Sequence, residues 1–563
     1  MLSAVEKSVL ARHLKAVCHL NYAVNLSSPV KKQRQLGFIL GAGVSTDLQI
    51  STWNKLLDSI ENDLSYKSSN KDGPQSYRGE QMFQYFRKKE MAKLRIKDRD
   101  VKEASVNTSW RKLVYKHLYE KYLRDDKEDI EAFKIAIKNH AYLKEIAGIA
   151  IDLDLVITHN FDNALEVAVL MTESQRPQNR RFSSFWKPDP FLRPDMLNIY
   201  HPNGYIPTED FKGSDSIVLT EANFADHLAN TNNAEANFLL GHLSNKTWLL
   251  IGHSLSDGTL KNALRLHAGR RPGHVSYFIH FTREGEASLT PEQRDAIREA
   301  NFLTYNLYTF FLNPDEIGAL LRLIKMDAGE LKGEITACGL QPRFVYYICG
   351  AVSSGKSTIL SHLRSMATVE EWPDRMPTAM NKLSVDATTG EKQDIDSNLD
   401  TAIWKKNEEI NDTKVGLVAV DRAPLDFIAF PDEDGEKSEV TARNRYHRVL
   451  KRFVTEDFKN LCPGQVILIQ SEPKTLLERQ IQRGRPPRDA DPTSKKAREA
   501  LKLQQEVMLD IYRPAIDRGS TARGDCCSVA TCVQDVIRII YFGDYQTFDF
   551  KHRLDEFLER ASK

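Results

Sequence analysis

The segment that most constrains this chain is Gly350-Ala351-Val352-Ser353-Ser354-Gly355-Lys356-Ser357, set between an apolar run at 344–349 and a helical pattern at 358–366. The spacing G-x-x-x-x-G-K-S works only in that order. A strand delivers the loop, the glycines let the backbone curl so that successive N–H groups converge, and a helix N-terminus faces what they hold. Such a loop cradles phosphate. Lys356 is expected to reach the outer phosphates of ATP or another nucleoside triphosphate. Gly350, Ser354, Gly355 and Thr358 would line the cradle, and Ser357 would hold magnesium. The plain alternative, a glycine turn with an incidental lysine, does not explain the flanking strand and helix.

Two more strands follow in this half. One, at 416–420, runs into Asp421-Arg422-Ala423-Pro424-Leu425-Asp426 and puts a carboxylate where a parallel sheet opens its ligand-binding edge. Asp421 can complete a magnesium shell, act as base toward an acceptor hydroxyl, or simply cap the next helix. The other strand, at 466–470, leads to a helix and a stretch carrying Arg479, Arg483, Arg485 and Arg488. Arginines so spaced can clamp a phosphoryl group with paired hydrogen bonds. In order and spacing, residues 341–563 resemble the deoxynucleoside and nucleotide kinases. The resemblance implies that Lys356, Arg479, Arg483 and Arg485 bind phosphate and that Asp421 is their acidic partner. Trp372, Asp374 and Asp386 are acceptor-pocket candidates by position alone. A kinase fold kept as a nucleotide sensor carries the same residues.

The first half offers strand candidates at 36–40, 155–158, 216–219, 247–252 and 275–280. A charged and aromatic stretch between Asn54 and Tyr142 reads as a helical insertion, its basic run at 87–99 a solvated helix face. Four strand-end turns stand out: Gly41-Ala42-Gly43-Val44-Ser45, Thr158-His159-Asn160-Phe161-Asp162, His201-Pro202-Asn203-Gly204, and Gly252-His253-Ser254-Leu255-Ser256-Asp257. Each alone has an ordinary explanation as a turn or helix cap. Their order resembles the sirtuin-like family, in particular its bacterial NAD-hydrolase branch, over about residues 37–313. The resemblance implies that Gly41, Ala42, Gly43 and Ser45 cradle a pyrophosphate. Asn160 and Asp162 would face the nicotinamide ribose, with Asn160 placing the attacking water, and Gly252, Ser254 and Asp257 would line the adenosine side. The family has histidine directly before the glycine of the third turn, where this chain has Asn203. His201, two residues earlier, is then the candidate base, unless another polar group of that turn serves. Position 159 also departs, holding histidine where glutamine or threonine is usual. Cleaving the nicotinamide–ribose bond demands a held ribose, a placed water and a proton acceptor near neutral pH, which suits histidine.

Composition narrows the partners. At 563 residues the chain exceeds one ordinary core. Its 78 basic and 77 acidic side chains leave no field for gripping a polyanion, so nucleic acid is not an expected partner. The seven cysteines, Cys18, Cys338, Cys349, Cys462, Cys526, Cys527 and Cys532, show no paired ligand spacing. Their sparse use fits a reducing cytoplasm. None lies between Cys18 and Cys338, so the structural zinc of protein-deacylating sirtuins has no ligands here and deacylation loses ground. No apolar run is long enough to cross a bilayer. The first twenty residues read as an amphipathic helix.

The expectation is an α/β chain of two doubly wound parallel-sheet domains: 1–330 sirtuin-like with a helical insertion, 331–343 a linker that breaks the helical pattern, and 344–563 kinase-like. By resemblance, the chain is expected to be a cytoplasmic NAD-depleting effector of antiphage defence. A nucleotide or phage-derived trigger would act on the kinase-like half, and the working form would be a homo-oligomer. Its alternatives are a nucleotide kinase with an NAD-binding regulatory domain, and a non-catalytic nucleotide-sensing module.

Overall fold

Runs rich in β-branched and aromatic residues, closed by glycine or polar turns, form strands buried on both faces, as parallel sheets require. The computed structural model describes residues 1–25, 35–68, 75–96, 98–124, 127–173, 182–188, 191–193, 196–208, 213–214, 217–223, 234–255, 257–282, 289–371, 402, 405–426, 462–482, 495–525, 528–553, 556 and 559. It divides into two units. One comprises Met1–Arg12, Ala23–Arg270 and Val275–Met326; the other comprises His13–Tyr22, Arg271–His274 and Asp327–Lys563.

Among the described residues the first unit holds seven parallel strands: β1 Leu36–Leu40, β2 Leu155–Thr158, β3 Phe182–Phe185, β4 Leu197–Tyr200, β5 Thr247–Ile251, β6 Ser276–Phe281 and β7 Leu307–Leu312. Their spatial order is β3-β4-β2-β1-β5-β6-β7, and every pairing is parallel. The chain first builds outward from β1 through β2, then crosses back to β5 on the other side. The crevice outside the carboxyl ends of β1, β2 and β5 is therefore the switch point where such sheets take ligands. Close packing fixes the centre. Gly37 of β1 is in register with Trp248 of β5, and a Cβ at Gly37 would lie 2.6 Å from a carbon of the indole. The fully buried Trp248 uses that gap and donates its Nε1–H to the His242 carbonyl at 3.2 Å.

The 54–142 insertion is helical, with helices at Trp53–Leu64, Gln75–Lys93, Arg99–Leu118 and Ile130–Asn139. Near the end of the unit, Thr290-Pro291 and Asn313-Pro314 open helices with reciprocal caps from Gln293 and Glu316. Two expectations need correcting. Residues 217–219 form no strand, and Ser216 lies outside the described residues. Residues 331–337 do not break the helical pattern: a helix runs Ala328–Ala337, started by the Asp327 side chain accepting from Gly329 N at 2.7 Å. A good N-cap outweighs the roughly 1 kcal/mol that each interior glycine costs.

In the second unit the strands are β8 Arg343–Gly350, β9 Ala367–Val369, β10 Gly416–Asp421, β11 Gln465–Gln470 and β12 Thr521–Arg523. Their order is β9-β10-β8-β11-β12, again all parallel. β8 is central, so the loop after it opens between the ends of β10 and β11. The two parallel sheets confirm the expected α/β, doubly wound class. No described helix is long and apolar enough to cross a membrane.

Candidate functional site

The floor of the first unit's crevice is a contact between two turns. Gly41 N donates to Ile251 O and Gly43 N to Gly252 O, each at 2.9 Å. A Cβ on Gly41 would lie 2.6 Å from Gly252 O, and one on Gly43 2.7 Å from a Phe281 ring carbon. Gly252 has φ +76°, and a Cβ there would meet Val44 N at 2.6 Å. Turn-on-turn packing alone therefore calls for all three glycines. We expect Gly252→Ala to cost about 2–3 kcal/mol, from left-handed strain and backbone collision. A lowered midpoint for the first unit's unfolding transition is the measurement that checks it.

Ser45 ties that floor to the turn after β2. Its Oγ accepts from Asn160 Nδ2 at 3.0 Å, and the hydroxyl also hydrogen-bonds Asp162. Asp162 is buried, and its Oδ1 accepts from Ala164 N at 3.0 Å, capping the helix Ala164–Glu173. Burial raises its carboxyl above the usual range, aided by the nearby Glu166 and opposed by these hydrogen bonds and by His201. Asn160 is likewise buried, but its Oδ1 accepts no hydrogen bond from the described residues. A buried amide oxygen without a donor costs free energy unless something supplies one.

His201 follows β4 and is fully buried. Its Nδ1 faces Asn160 O at 3.1 Å and its Nε2 faces Glu166 Oε1 at 2.8 Å. The same Glu166 oxygen accepts from Ser184 Oγ at 2.7 Å. With both nitrogens engaged, His201 braces the Asn160 backbone from below. Asn203 sits beside it in the turn and donates to His159 O at 3.2 Å. On the β5 side, Asp257 Oδ1 accepts from Leu260 N at 2.9 Å as a helix cap, and Ser254 is exposed. The sequence reading missed Glu166, and it treated His159 only as a departure. His159 Nδ1 and His253 Nε2 lie 3.1 Å apart with their rings nearly perpendicular. Burial, and next the neighbouring His159, pulls the His253 imidazole down to about 3.

In the second unit β8 runs into the loop at 350–357 and the helix Lys356–His362 follows. Gly350 and Gly355 have φ +153° and +99°, and Ser353 joins them at +66°. Lys356 is buried and donates to Gly350 O at 2.8 Å and Ala351 O at 2.9 Å. Ser357 Oγ donates to Asp421 Oδ2 at 2.9 Å. Two buried oxygens nearby, Asp421 Oδ1 and Ser354 Oγ, have no hydrogen-bond partner among the described residues. Thr358 lies one residue beyond Ser357 on the same helix. The cluster widens with Lys406, donating to Asp421 O at 2.6 Å, and with Arg422, paired with Glu371 and 3.7 Å from Asp426. Arg479 lies against the loop, donating to Gly524 O at 2.6 Å and Ser354 O at 3.5 Å. Arg483, Arg485, Arg488, Trp372, Asp374 and Asp386 lie outside the described residues. Among the described residues no His, Cys, Asp and Glu cluster has the makings of an all-protein metal cage.

Burial, and next Arg422, lowers Lys356 to about 8, against the pull of Asp421, Asp426 and Glu371. Without phosphate beside it the Lys356 ammonium thus carries a burial penalty that is present in full below about pH 8. That penalty is relieved as pH rises from there toward the ordinary value of 10.5. Phosphate needs the ammonium. Triphosphate affinity should therefore fall as pH rises through about 8, approaching tenfold per unit above it. Titration calorimetry across pH tests this, and Lys356→Arg should flatten the slope because guanidinium stays charged.

The strand-end crevice and the glycine turns define the first unit as a parallel α/β domain with a polar site at its switch point. A SIR2-like domain model matches residues 154–306, from the strand before Asn160 to the end of the helix before β7. Over those residues the chain is similar to SIR2-like domains, which supports a sirtuin-like fold there. No curated protein matches the chain. Among solved structures, a crystal structure of NadR protein in complex with NAD and AMP-PNP is 13% identical, covering 57% of this chain and 82% of that one at a TM-score of 0.25. A second, NadR protein in complex with NR, is 13% identical and covers 59% and 84%, again at 0.25. At that TM-score neither likeness bears on fold or ligand.

Proposed function

We propose that the first unit cleaves the nicotinamide–ribose bond of NAD, and that the second unit binds a nucleoside triphosphate and governs that cleavage. The observation that carries the first part is the buried Asn160, with its nitrogen tied to Ser45 and its oxygen left as an unmatched acceptor at the switch point. An acceptor so fixed can hold a water or a ribose hydroxyl without first reorganising. Asp162 and Ser45 hold that amide in place, and His201 supports the backbone beneath it. The glycine turns at 41–43 and 252 pack on one another and so hold the ends of β1 and β5 together beside the site. Departure of neutral nicotinamide through an oxocarbenium-like state then asks chiefly for position and a proton acceptor.

In the second unit Lys356, Ser354 and Arg479 would hold phosphate. Ser357 and Asp421 would hold magnesium, whose charge offsets that of the phosphates. The unpartnered Asp421 Oδ1 fits that donor set. Two nucleotide sites in one chain support a sensor joined to an effector; the resemblance to sirtuin-like NAD hydrolases extends this to a cytoplasmic homo-oligomer serving antiphage defence by NAD depletion. A second reading, phosphoryl transfer by the second unit, draws on the charged cluster of Lys406, Arg422, Glu371 and Asp426 beside the loop. Product analysis separates the two. The first reading predicts nicotinamide and ADP-ribose from NAD. The second predicts transfer of labelled phosphate from ATP to an added nucleoside or nucleotide, with NAD intact.

A further inference from the structure

The second unit holds a cavity at the edge of its sheet opposite the phosphate loop. Gln465 and Val466, the first residues of β11, line it, while the loop leaves the sheet at the other end, roughly 16 Å away along a six-residue strand. It encloses about 140 Å³, close to the size of cavities that take up a benzene ring. Val466, Ala515, Ile539 and Phe548 give it apolar walls. Its backbone is already tied down. Gly519 N donates to Ile516 O at 2.8 Å, Ser520 N to Ala515 O at 2.9 Å and Phe548 N to Gly464 O at 2.7 Å. Gly543 O, on the rim, accepts from Lys15 Nζ at 2.6 Å. A ligand would therefore meet a preformed space.

One polar group of this cavity is left unmatched. Ser520 Oγ gives its only hydrogen to Val466 O at 2.6 Å, so the amide face that Gln465 turns to Ser520, at 3.0 Å, must be the N–H2. Gln465 Oε1 is thereby fixed on the other side. Gln465 is 6% exposed, and among the described residues nothing donates to that oxygen. Such an acceptor costs free energy until a donor arrives. A lone amide oxygen between apolar walls cannot compensate a buried ammonium, so the donor it suits is a neutral N–H. The exposed rim adds one charge of each sign, Arg518 and Asp544, and so favours neither cation nor anion. At Gly519 the rim is open: a Cβ there would meet nothing within 4 Å. We propose that this cavity binds a small, flat, neutral nitrogen heterocycle whose N–H2 group donates to Gln465 Oε1. Free nicotinamide and a free nucleobase such as adenine share that chemistry. The site is separate from both nucleotide sites and does not depend on the NAD-cleaving reading.

The test titrates the full chain with nicotinamide, adenine and, as a ring of the same size without N–H, benzene, by calorimetry or ligand-observed NMR. At least one of the two heterocycles should bind with a dissociation constant of about 1 mM or below. Gln465→Leu should weaken it about tenfold or more and still fold, because it exchanges an unmatched acceptor for an apolar side chain. Ala515→Leu, which fills the space, should weaken it as much and carries the same expectation if Gln465→Leu does not fold. Binding should persist in Lys356→Ala and in Asn160→Ala. Tighter binding of nicotinamide makes the cavity a reader of the nicotinamide level, and tighter binding of adenine makes it a reader of nucleobase. No binding of either, or binding that survives both cavity variants, overturns the proposal. So does benzene bound as tightly as the heterocycles and untouched by Gln465→Leu. NAD turnover plays no part in these readings, so their failure leaves the NAD-cleaving account standing.

Discussion

Asn160→Ala is expected to lower NAD turnover by about 10²–10⁴-fold while leaving the fold and much of the NAD affinity in place. The size follows from what the amide does. Removing one preorganised polar group aimed at the reacting centre costs roughly 10²–10³ in rate, and losing the placement of the attacking water adds to it. The fold should survive because Asn160 contributes one side-chain hydrogen bond, to Ser45, worth about 1 kcal/mol net. Asp162→Asn should do less, since Asn can still cap the helix at Ala164. Steady-state release of nicotinamide, with NAD affinity measured separately, checks both. An Asn160→Ala chain with wild-type turnover removes the site from the strand end of β2.

Lys356→Ala should weaken triphosphate binding by about 10²–10³-fold, the loss of one buried, charge-assisted contact to phosphate. The variant should fold at least as well as the native chain. Its removal also removes an ammonium whose burial costs stability below about pH 8, although the Gly350 and Ala351 carbonyls lose a donor. Ser357→Ala should weaken magnesium-dependent binding and spare magnesium-free binding. If the second unit governs the first, Lys356→Ala should also abolish any response of NAD cleavage to added nucleotide. Equal affinities for the variant and the native chain would separate the loop at 350–357 from nucleotide altogether.

How much of this was legible before the structure depended on range. Apolar runs closed by glycine or polar residues marked β1, β2, β5, β6, β8, β10 and β11, because a buried parallel strand has a local signature. The strands Leu197–Tyr200 and Leu307–Leu312 were not marked, since a four-residue strand with a central asparagine, or a six-residue apolar run after a helix, has no periodicity of its own. Thr521–Arg523 is three residues and exists only as an edge beside β11. In the site, the turns showed in the sequence and their contacts did not. Nothing local says that Ser45 reaches Asn160 across 115 residues, or that His159 meets His253 across 94. That His201 is fully buried is likewise something its neighbours along the chain do not reveal. Lys406 and Glu371 were missed because the pairing of β9 with β10, which no local pattern shows, sets their place beside the phosphate loop.

The most direct test of the account is nicotinamide release from NAD by the purified full chain, measured with and without magnesium and ATP or deoxynucleotides, beside Asn160→Ala. Release that responds to nucleotide and disappears in the variant is the predicted result. NAD left intact under every one of those conditions, or cleaved equally by Asn160→Ala, would contradict it.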